Sequence, residues 1–252
     1  MRSRKALGTP SQRLEANESI LTELGLPVSG IEQLMAKFHL SYNSERLSWH
    51  HHIFASWSLT VSGKSPGAVL EIGTESGAFA NFLGAVLPMK EVYTIDLPDS
   101  DEKFISEYGR ENENYRADYL ARRSENVTSP NVHFKSMDST FILAVFSELG
   151  NTSQPGVNHG IFDAVWVDGD HRNPQVTIDI VQSLALLKPE GFLLVDDVVM
   201  DPNFRSDKYV SNESWKTLIH LQKAGLVRCH FFNKRTRVDG LQKHLGFVQR
   251  IS

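Results

Sequence analysis

The stretch Ala68-Val-Leu-Glu-Ile-Gly-Thr-Glu-Ser-Gly-Ala78 decides the fold of this chain. The apolar residues before Gly73 suit a strand that is buried on both faces. Gly73 and Gly77 permit a tight turn and a close approach of a ligand to the backbone, and the helix that follows begins with exposed N–H groups. The stretch therefore predicts a strand, a ligand-binding loop and a helix.

A second apolar strand, Glu91-Val-Tyr-Thr-Ile-Asp96, ends on a carboxylate about 23 residues after Gly73. An acidic residue at this spacing usually binds the two hydroxyl groups of a ribose. The pattern therefore predicts a cofactor that contains ribose, and both NAD and S-adenosylmethionine are candidates.

Glu75 favours the second of these cofactors. In a dinucleotide site the corresponding loop position is a glycine, so that the backbone can contact the pyrophosphate. A carboxylate there would face a phosphate, and two unit charges about 4 Å apart repel by about 4 kcal/mol at an effective dielectric constant of ~20. S-adenosylmethionine has no phosphate, and its sulfonium and ammonium groups tolerate carboxylates such as Glu71 and Glu75. The loop therefore predicts a methyl donor rather than NAD.

Composition limits the class of protein. The 252-residue chain is 40% hydrophobic, which is enough for one large α/β domain. Its formal net charge of -4 provides no basic field, so we expect neither a nucleic-acid partner nor a membrane partner. Cys229 is the single cysteine, and no run of 18 apolar residues occurs. These features predict a soluble, cytoplasmic protein.

The chain is expected to consist of an N-terminal helical cap at residues 1–62 and a cofactor-binding core at residues 63–252. Residues up to about 19 are polar and are expected to be irregular. Helical spacing then predicts the three helices of the cap, at residues 20–26, 31–40 and 43–57.

Three consecutive histidines, His50, His51 and His52, lie in the last helix of the cap. Successive residues of a helix point about 100° apart, so three neighbours cannot converge on one metal ion. We interpret them as packing or surface residues, although one of them could line the mouth of the substrate site.

Strands alternate with helices after the cap, which predicts a parallel sheet covered by helices on both faces. The last two strands have no helix between them, so the sheet is expected to finish as an antiparallel pair. The predicted fold is therefore α/β, with a doubly wound, mostly parallel, Rossmann-like sheet. The predicted strands are 68–72, 91–96, 132–137, 162–167, 191–195, 227–232 and 247–251, and the predicted helices of the core are 78–87, 101–126, 141–149, 174–187 and 215–224.

Ligands of open α/β sheets bind beyond the carboxyl ends of the strands. The loop at Gly73, then Asp96, then the pair Asp138 and Ser139 follow strands one, two and three. This is the order in which the methionine, ribose and adenine parts of one extended S-adenosylmethionine would meet them. The residues predicted to contact the cofactor are Glu71, Gly73, Thr74, Glu75, Gly77, Asp96, Asp138, Ser139 and Asp168.

Strands four and five are followed by Asp168, Asp170, His171, Asp196 and Asp197. Neighbouring strands lie about 4.8 Å apart, so these groups could meet around one ion. Carboxylates held close together raise one another's pKa unless a cation compensates them, and oxygen ligands favour Mg²⁺. The alternative is that Asp168 and Asp196 cap helices or face solvent.

In the order of these motifs, the chain resembles the class I S-adenosylmethionine-dependent methyltransferases. Over about residues 68–198 it is most similar to the metal-dependent small-molecule O-methyltransferases, which include catechol, caffeoyl-CoA and macrocin types. The resemblance implies a seven-stranded sheet with an antiparallel last strand, and a homodimer is an expectation at the level of the family. By position, it implies that Asp168, Asp196 and Asp197 bind Mg²⁺.

Two positions depart from the catechol-type pattern. Asp197 stands where that branch has Asn, and His171 stands third after Asp168, where that branch has its lysine base. The macrocin-type enzymes are similar to this chain at both points, and the second Asp of their Asp-Gly-Asp motif is the supposed base. Asp170 is therefore the first candidate for the base, and His171 is the second because its intrinsic pKa is near neutral.

The predicted activity is methyl transfer from S-adenosylmethionine to a hydroxyl of a small molecule, with Mg²⁺ lowering the pKa of that hydroxyl. Asp170 or His171 would remove the proton, and the oxyanion would attack the methyl group in line. Three alternatives are an NAD-dependent oxidoreductase, a metal-independent N- or C-methyltransferase and a non-catalytic cofactor-binding protein. The acceptor is not specified by any of these motifs, because variable loops and the cap would contact it.

Overall fold

A computed structural model describes residues 9–38, 49–147, 160–205, 210–236 and 241–251. The predicted start of the third cap helix, at residues 43–48, lies outside the described residues. So does the end of the helix predicted for residues 141–149.

The strands of the described chain form one seven-stranded sheet in the order β3-β2-β1-β4-β5-β7-β6. Strands β1 to β5 are mutually parallel, and β7 is antiparallel to both β5 and β6. This confirms the predicted doubly wound sheet with an antiparallel last strand, although β5, β6 and β7 are longer than predicted. The bounds are β1 Gly67–Ile72, β2 Lys90–Asp96, β3 Val132–Ser136, β4 Phe162–Val167, β5 Leu187–Val198, β6 Val227–Thr236 and β7 Gln242–Arg250.

The helices of the described residues cover both faces of this sheet. None of them is long and apolar enough to span a lipid bilayer. Their bounds are α1 Pro10–Glu23, α2 Ile31–Ala36, α3 Trp49–Ser58, α4 Val61–Lys64, α5 Ala78–Val86, α6 Glu102–Ser106, α7 Glu113–Asn126, α8 Ile142–Ser147, α9 Gln175–Leu186 and α10 Glu213–Lys223, with a 3-10 turn at Ser139–Phe141 before α8.

Two hydrophobic cores follow from the alternation of side chains along the strands. Val69 of β1 points to the core that contains buried residues of α1, α2, α3 and α5. Leu70 and Ile72 point to the opposite core, which α8, α9 and α10 cover. The N-terminal helices thus share a core with the sheet, and the division of the chain at residue 62 stays a prediction.

Helix α1 corrects the expectation that residues up to about 19 are irregular. Thr9 caps the helix, since its side chain accepts a hydrogen bond from Gln12 N while the Gln12 side chain accepts one from Thr9 N. Asn17 is fully buried, donates to the carbonyl oxygen of Asn233 at 2.8 Å and accepts from Asn233 N at 2.7 Å. The capping and this contact with β6 stabilise a helix whose sequence has weak apolar periodicity.

The helical segment predicted for residues 101–126 is divided into α6 and α7. Tyr108 and Gly109 between them have φ angles of 56° and 83°, and two successive left-handed residues cannot continue a helix. The interruption places Tyr108 over the carboxyl ends of the strands.

Asn17→Ala should destabilise the fold by about 2–4 kcal/mol, because it leaves two backbone groups of Asn233 without their hydrogen bonds. The measurement is chemical denaturation of the variant and of wild type. Ser11→Ala, at an exposed position of the same helix, should change stability by less than about 0.5 kcal/mol. Equal stabilities of the two variants would contradict the docking of α1 on β6.

Candidate functional site

A cavity of about 800 Å³ opens at the carboxyl ends of β1 to β5. This is the position where open α/β sheets bind ligands, and the volume is typical of a small-molecule site. Its lining includes predicted site residues from each of these five strands: Gly73, Glu75, Asp96, Asp138, Ser139, Asp168, Asp170, His171, Asp196 and Asp197.

The loop after β1 can be built only with glycine at position 73. Gly73 has a φ angle of 100°, and a Cβ atom there would lie 2.3 Å from the carbonyl oxygen of Asp168. The backbone N–H groups of Gly73 and Thr74 donate to the carbonyl oxygen of Ile95, at 2.9 and 3.1 Å. The loop is therefore pressed between β2 and β4, with its outer side toward the cavity.

Asp96 connects this loop to β2. Its carboxylate accepts hydrogen bonds from Leu97 N at 2.8 Å, from Glu75 N at 3.2 Å and from the Tyr119 hydroxyl at 3.4 Å. Burial raises the pKa of Asp96, while these backbone donors and nearby arginines oppose the rise. Asp96 is thus a fixed, cavity-lining carboxyl at the end of β2.

Glu71 lies beneath the loop rather than in the cavity lining. The Thr94 hydroxyl donates to Glu71 Oε2 at 2.5 Å, and the hydroxyl oxygens of Thr94 and Thr74 are 2.6 Å apart. Burial raises the pKa of Glu71 to about 8; the hydrogen bond from Thr94 opposes the rise, and the charges of Asp96 and Glu75 add to it. Glu71 and Thr74 are almost completely buried, so they support the loop from below.

Gly77 also lies outside the cavity lining, at the N-terminus of α5. A Cβ atom there would approach Val127 Cγ1 to 2.9 Å, so the glycine permits close packing of the loop against the end of α7. The predicted cofactor contacts of Glu71, Thr74 and Gly77 stay predictions, and the observed role of these residues is to hold the loop.

Asp138 and Ser139 follow β3 and line the same cavity. Asp138 Oδ1 accepts a hydrogen bond from Thr140 N at 2.7 Å and so caps the 3-10 turn. Ser139 Oγ accepts from Gln175 Nε2 of α9 at 2.8 Å. Both residues are thereby fixed at the end of the cavity beyond β2.

Asp168, which follows β4, converges with Asp196 and Asp197 near the end of β5. Adjacent residues of a regular strand point to opposite faces, but Asp197 has a φ angle of 50°, and the pairing of β5 with β7 is irregular between Val195 and Val198. This irregularity lets both neighbouring carboxylates contact one cation. Asp168 adds a third carboxyl, and burial together with the charges of Asp196 and Asp197 raises its pKa well above the usual value.

The cation that contacts Asp196 and Asp197 is Lys234 of β6, a residue that the sequence patterns did not single out. Its Nζ donates to Asp196 Oδ1 and, at 2.6 Å, to Asp197 Oδ1. Lys243 of β7 lies 2.5 Å from the same oxygen of Asp197. Burial would lower the pKa of Lys234, but Asp196 and Asp197 raise it, so the ammonium keeps its charge.

The donor set as placed does not fit a divalent metal ion. Within the residues that the structure describes, no group of three or more His, Cys, Asp or Glu side chains is arranged to hold one. A divalent cation about 4 Å from the Lys234 ammonium would be repelled by roughly 8 kcal/mol at an effective dielectric constant of ~20, twice the value for two unit charges. Lys234 would have to leave Asp196 and Asp197 before a metal ion could bind them.

Asp170 is engaged by two cations. Arg172 Nε donates to its Oδ1 at 3.0 Å, and Lys103 Nζ lies 2.5 Å from its Oδ2. Burial alone would raise the pKa of Asp170, but the hydrogen bonds from Arg172 and Lys103 outweigh it and lower the pKa to about 2. Both oxygens are thus occupied, and the carboxylate is a weak base at neutral pH.

His171 is the second candidate base. It is buried and lines the cavity, and its Nε2 lies 3.7 Å from Asp168 Oδ1. Burial lowers the pKa of His171, against the opposing charges of Asp197 and Asp196, so the imidazole is neutral near pH 7. A neutral imidazole beside the cavity can accept a proton. These contacts favour His171 over Asp170 as the candidate base.

The three histidines of α3 differ in their positions. His50 lines the cavity, with its ring 4.5 Å from that of Trp166 and 4.4 Å from that of Phe79. His51 and His52 also pack against aromatic rings, those of Phe82 and Trp49. Packing is therefore their common environment, and His50 alone of the three lines the cavity.

Residues 70–198, about half of the chain, match a family model described as a methyltransferase domain. A search of curated proteins finds no match. The crystal structure of the O-methyltransferase TomG from Streptomyces achromogenes, in complex with S-adenosylmethionine, is similar over 98% of this chain and 100% of its own, at 17% identity and a TM-score of 0.56. The O-methyltransferase from Bacillus cereus, in complex with S-adenosylhomocysteine, is similar over 96% and 100%, at 17% identity and a TM-score of 0.54. At these identities the likeness establishes a shared fold.

Glu71→Gln should make stability less dependent on pH in the protein without ligand. Because the folded-state pKa of Glu71 is raised from 4.5 to about 8, its contribution to stability is complete below the lower value and is lost as the pH rises through the higher one. Wild type should therefore lose up to about 1.4 kcal/mol per pH unit relative to the variant in this window.

Denaturant unfolding of both proteins at about pH 5, 7 and 9 measures this difference. Glu113→Gln, at an exposed position of α7, is the matched control and should follow wild type. Parallel pH profiles for Glu71→Gln and wild type would show that Glu71 does not carry the buried proton.

Proposed function

This chain belongs to the methyltransferase-domain family, and we propose that it transfers the methyl group of S-adenosylmethionine to a hydroxyl group of a small molecule. One observation carries the proposal: two sets of residues line the same cavity. The Gly73 loop, Asp96 and Asp138 lie on one side of it, and His171 and the Asp196–Asp197 pair lie on the other. The first set suits an extended cofactor and the second suits a reacting hydroxyl.

The cofactor half follows the order of the strands. β1, β2 and β3 are neighbours in the sheet, so the Gly73 loop, Asp96 and Asp138 lie in a row with about 4.8 Å between strands. We infer that the methionine part lies against the Gly73 loop, the ribose on Asp96, and the adenine beside Asp138 and Ser139. The complexes of TomG with S-adenosylmethionine and of the Bacillus cereus enzyme with S-adenosylhomocysteine support this choice of cofactor.

The acceptor half supplies the base. We assign proton removal to His171, because its imidazole is neutral and lines the cavity, whereas Arg172 and Lys103 occupy both oxygens of Asp170. The acceptor O–H proton passes to the imidazole and the oxygen forms a bond to the methyl carbon. The S–C bond breaks, and S-adenosylhomocysteine leaves as a neutral thioether. Asp170 then has a positioning role, since it holds Arg172 and Lys103 at the rim of the cavity.

The donor set does not favour a dependence on magnesium, because Lys234 contacts the carboxylates that would bind the ion. Membership of the methyltransferase family favours methyl transfer over NAD-dependent oxidation. A hydroxyl acceptor, a cytoplasmic location, a possible homodimer, and the absence of nucleic-acid and membrane partners stay predictions from the sequence.

Asp96→Ala should weaken the binding of S-adenosylmethionine by about 1.5–3 kcal/mol, the value of a hydrogen bond to a charged group. Titration calorimetry with S-adenosylmethionine and S-adenosylhomocysteine measures the change. Asp99→Ala is the control, because Asp99 is half-exposed, binds Arg123 and lies outside the cavity lining. If Asp96→Ala bound the cofactor as tightly as Asp99→Ala, the ribose assignment would be wrong.

His171→Gln should lower kcat by about 10²-fold or more, since it removes the proton acceptor, with little change in cofactor affinity. Asp170→Asn should have a smaller effect on kcat. Release of S-adenosylhomocysteine across a panel of phenols, sugars and other hydroxyl compounds is the assay. The opposite ranking would return the role of base to Asp170.

A further inference from the structure

We propose that the ammonium group of Lys234 takes the place of the divalent cation in this site, so that the chain binds its acceptor oxygen with a lysine instead of a metal ion. The role of Lys234 in the reaction rests on the proposed methyl transfer. Its contact with Asp196 and Asp197 does not depend on the identity of the acceptor. It assigns a role to a residue of the second-to-last strand, outside the residues 70–198 that match the methyltransferase family.

The position of the ammonium is the first argument. Lys234 Nζ contacts one oxygen of Asp196 and one oxygen of Asp197, and its side chain is 8% exposed. Those are the two neighbouring carboxylates of β5 that were predicted to bind a metal ion. A metal ion could therefore occupy the position of Lys234 Nζ only if the lysine side chain moved away.

Charge is the second argument. Lys234 and Lys243 both contact Asp197 Oδ1, so two ammonium groups lie beside the carboxylates of Asp196 and Asp197. Two ammonium groups carry the same positive charge as one divalent cation. The positive charge that compensates the carboxylates of Asp196 and Asp197 is therefore supplied by the protein chain.

The setting of Lys234 in β6 is the third argument. Phe232 lies two residues before it, is fully buried, and stacks on Trp49 with ring centroids 5.9 Å apart. β6 pairs with β7, which carries Lys243, in an antiparallel hairpin. The pairing is irregular between Asn233 and Thr236, the stretch that carries Lys234, while the buried Phe232 holds the preceding part of β6 against α3.

An ammonium group has three N–H donors, and Asp196 and Asp197 use two of those on Lys234. Because Lys234 lines the cavity, we infer that the third donates to the acceptor oxygen. As the acceptor proton moves to His171, negative charge develops on that oxygen beside a fixed cation. Lys234 keeps its proton throughout, and the carbon–oxygen bond forms as the carbon–sulfur bond breaks.

The first test measures metal binding without any acceptor. Mn²⁺ is titrated into wild type and Lys234→Met, and free Mn²⁺ is followed by electron paramagnetic resonance. Wild type should not bind Mn²⁺ at this site, whereas Lys234→Met should bind it at least about tenfold more tightly, because carboxylate oxygens become accessible. Lys188→Met is the matched control: Lys188 is partly exposed and pairs with Asp163, away from the cavity, so this variant should behave as wild type.

The second test measures methyl transfer in EDTA and after addition of Mg²⁺ or Mn²⁺. Wild type and Lys188→Met should have the same kcat under both conditions. Lys234→Met should lose about 10²-fold in kcat in EDTA and recover at least about tenfold when the metal is added. A lysine with only a structural role would give a variant that no metal rescues.

Lys234→Arg serves as a second variant in case Lys234→Met does not fold. It keeps the positive charge, so it should exclude Mn²⁺ as wild type does. Its kcat should be lower than that of wild type, because a guanidinium does not reproduce the ammonium geometry, and neither EDTA nor added metal should change it. Binding of Mn²⁺ by wild type that Asp196→Asn abolishes, or loss of wild-type activity in EDTA, would overturn the inference.

Failure of the proposed function would look different from failure of this inference. A chain that does not bind S-adenosylmethionine in calorimetry, yet excludes Mn²⁺ until Lys234 is replaced, would refute methyl transfer and keep the assignment of Lys234 as the site's cation. A chain that binds the cofactor and also binds Mn²⁺ at Asp196 would refute the assignment alone.

Discussion

The contact of Lys234 with Asp196 and Asp197 is the interaction on which the part of the cavity beside β4 and β5 depends. Carboxylates at the carboxyl ends of parallel strands converge because the strands are neighbours, and burial makes their mutual repulsion costly. The antiparallel hairpin of β6 and β7 brings the compensating charge from the far edge of the sheet. Removing the partner of a buried charge typically costs about 3–5 kcal/mol, so this contact also holds the hairpin to β5.

Backbone strain in the described chain is concentrated at the same cavity. The three non-glycine residues with positive φ angles are Glu75, Tyr108 and Asp197, and all three line it. Such conformations cost about 1–3 kcal/mol each and persist only where the surrounding structure determines them. The N–H group of Glu75 donates to Asp96 Oδ2, and Ser211 N donates to the carbonyl oxygen of Asp197 at 3.1 Å. The strain turns these residues toward the ligand space, where a regular helix or strand would point them elsewhere.

The sequence predicted the sheet well and identified Gly73, Asp96 and Asp138, which line the cavity, because both depend on local patterns. Apolar runs that end in Gly73, Asp96, Asp138 and Asp168 mark strands and the loops after them, and parallel strands place those loops at one edge. Helix α1 was missed because its stability comes from the Thr9 cap and from the contact of Asn17 with β6, neither of which produces an apolar period.

The contacts in the part of the cavity beside β4 and β5 could not be predicted from the sequence, since they join distant residues. Lys234 is 38 positions from Asp196, and a lysine in a strand ordinarily faces solvent. Lys103 reaches Asp170 from α6 across the cavity. The same Asp-Gly-Asp-His motif therefore favours His171 as the candidate base once the partners of Asp170 are known, because cations contact both oxygens of Asp170.

A crystal structure of the chain with S-adenosylhomocysteine and MnCl₂, with anomalous diffraction recorded at the manganese absorption edge, tests this account most directly. We expect to find the ribose on Asp96, and Lys234 between Asp196 and Asp197 with no anomalous peak beside them. A manganese ion bound to these two carboxylates, with Lys234 displaced from them, would contradict it.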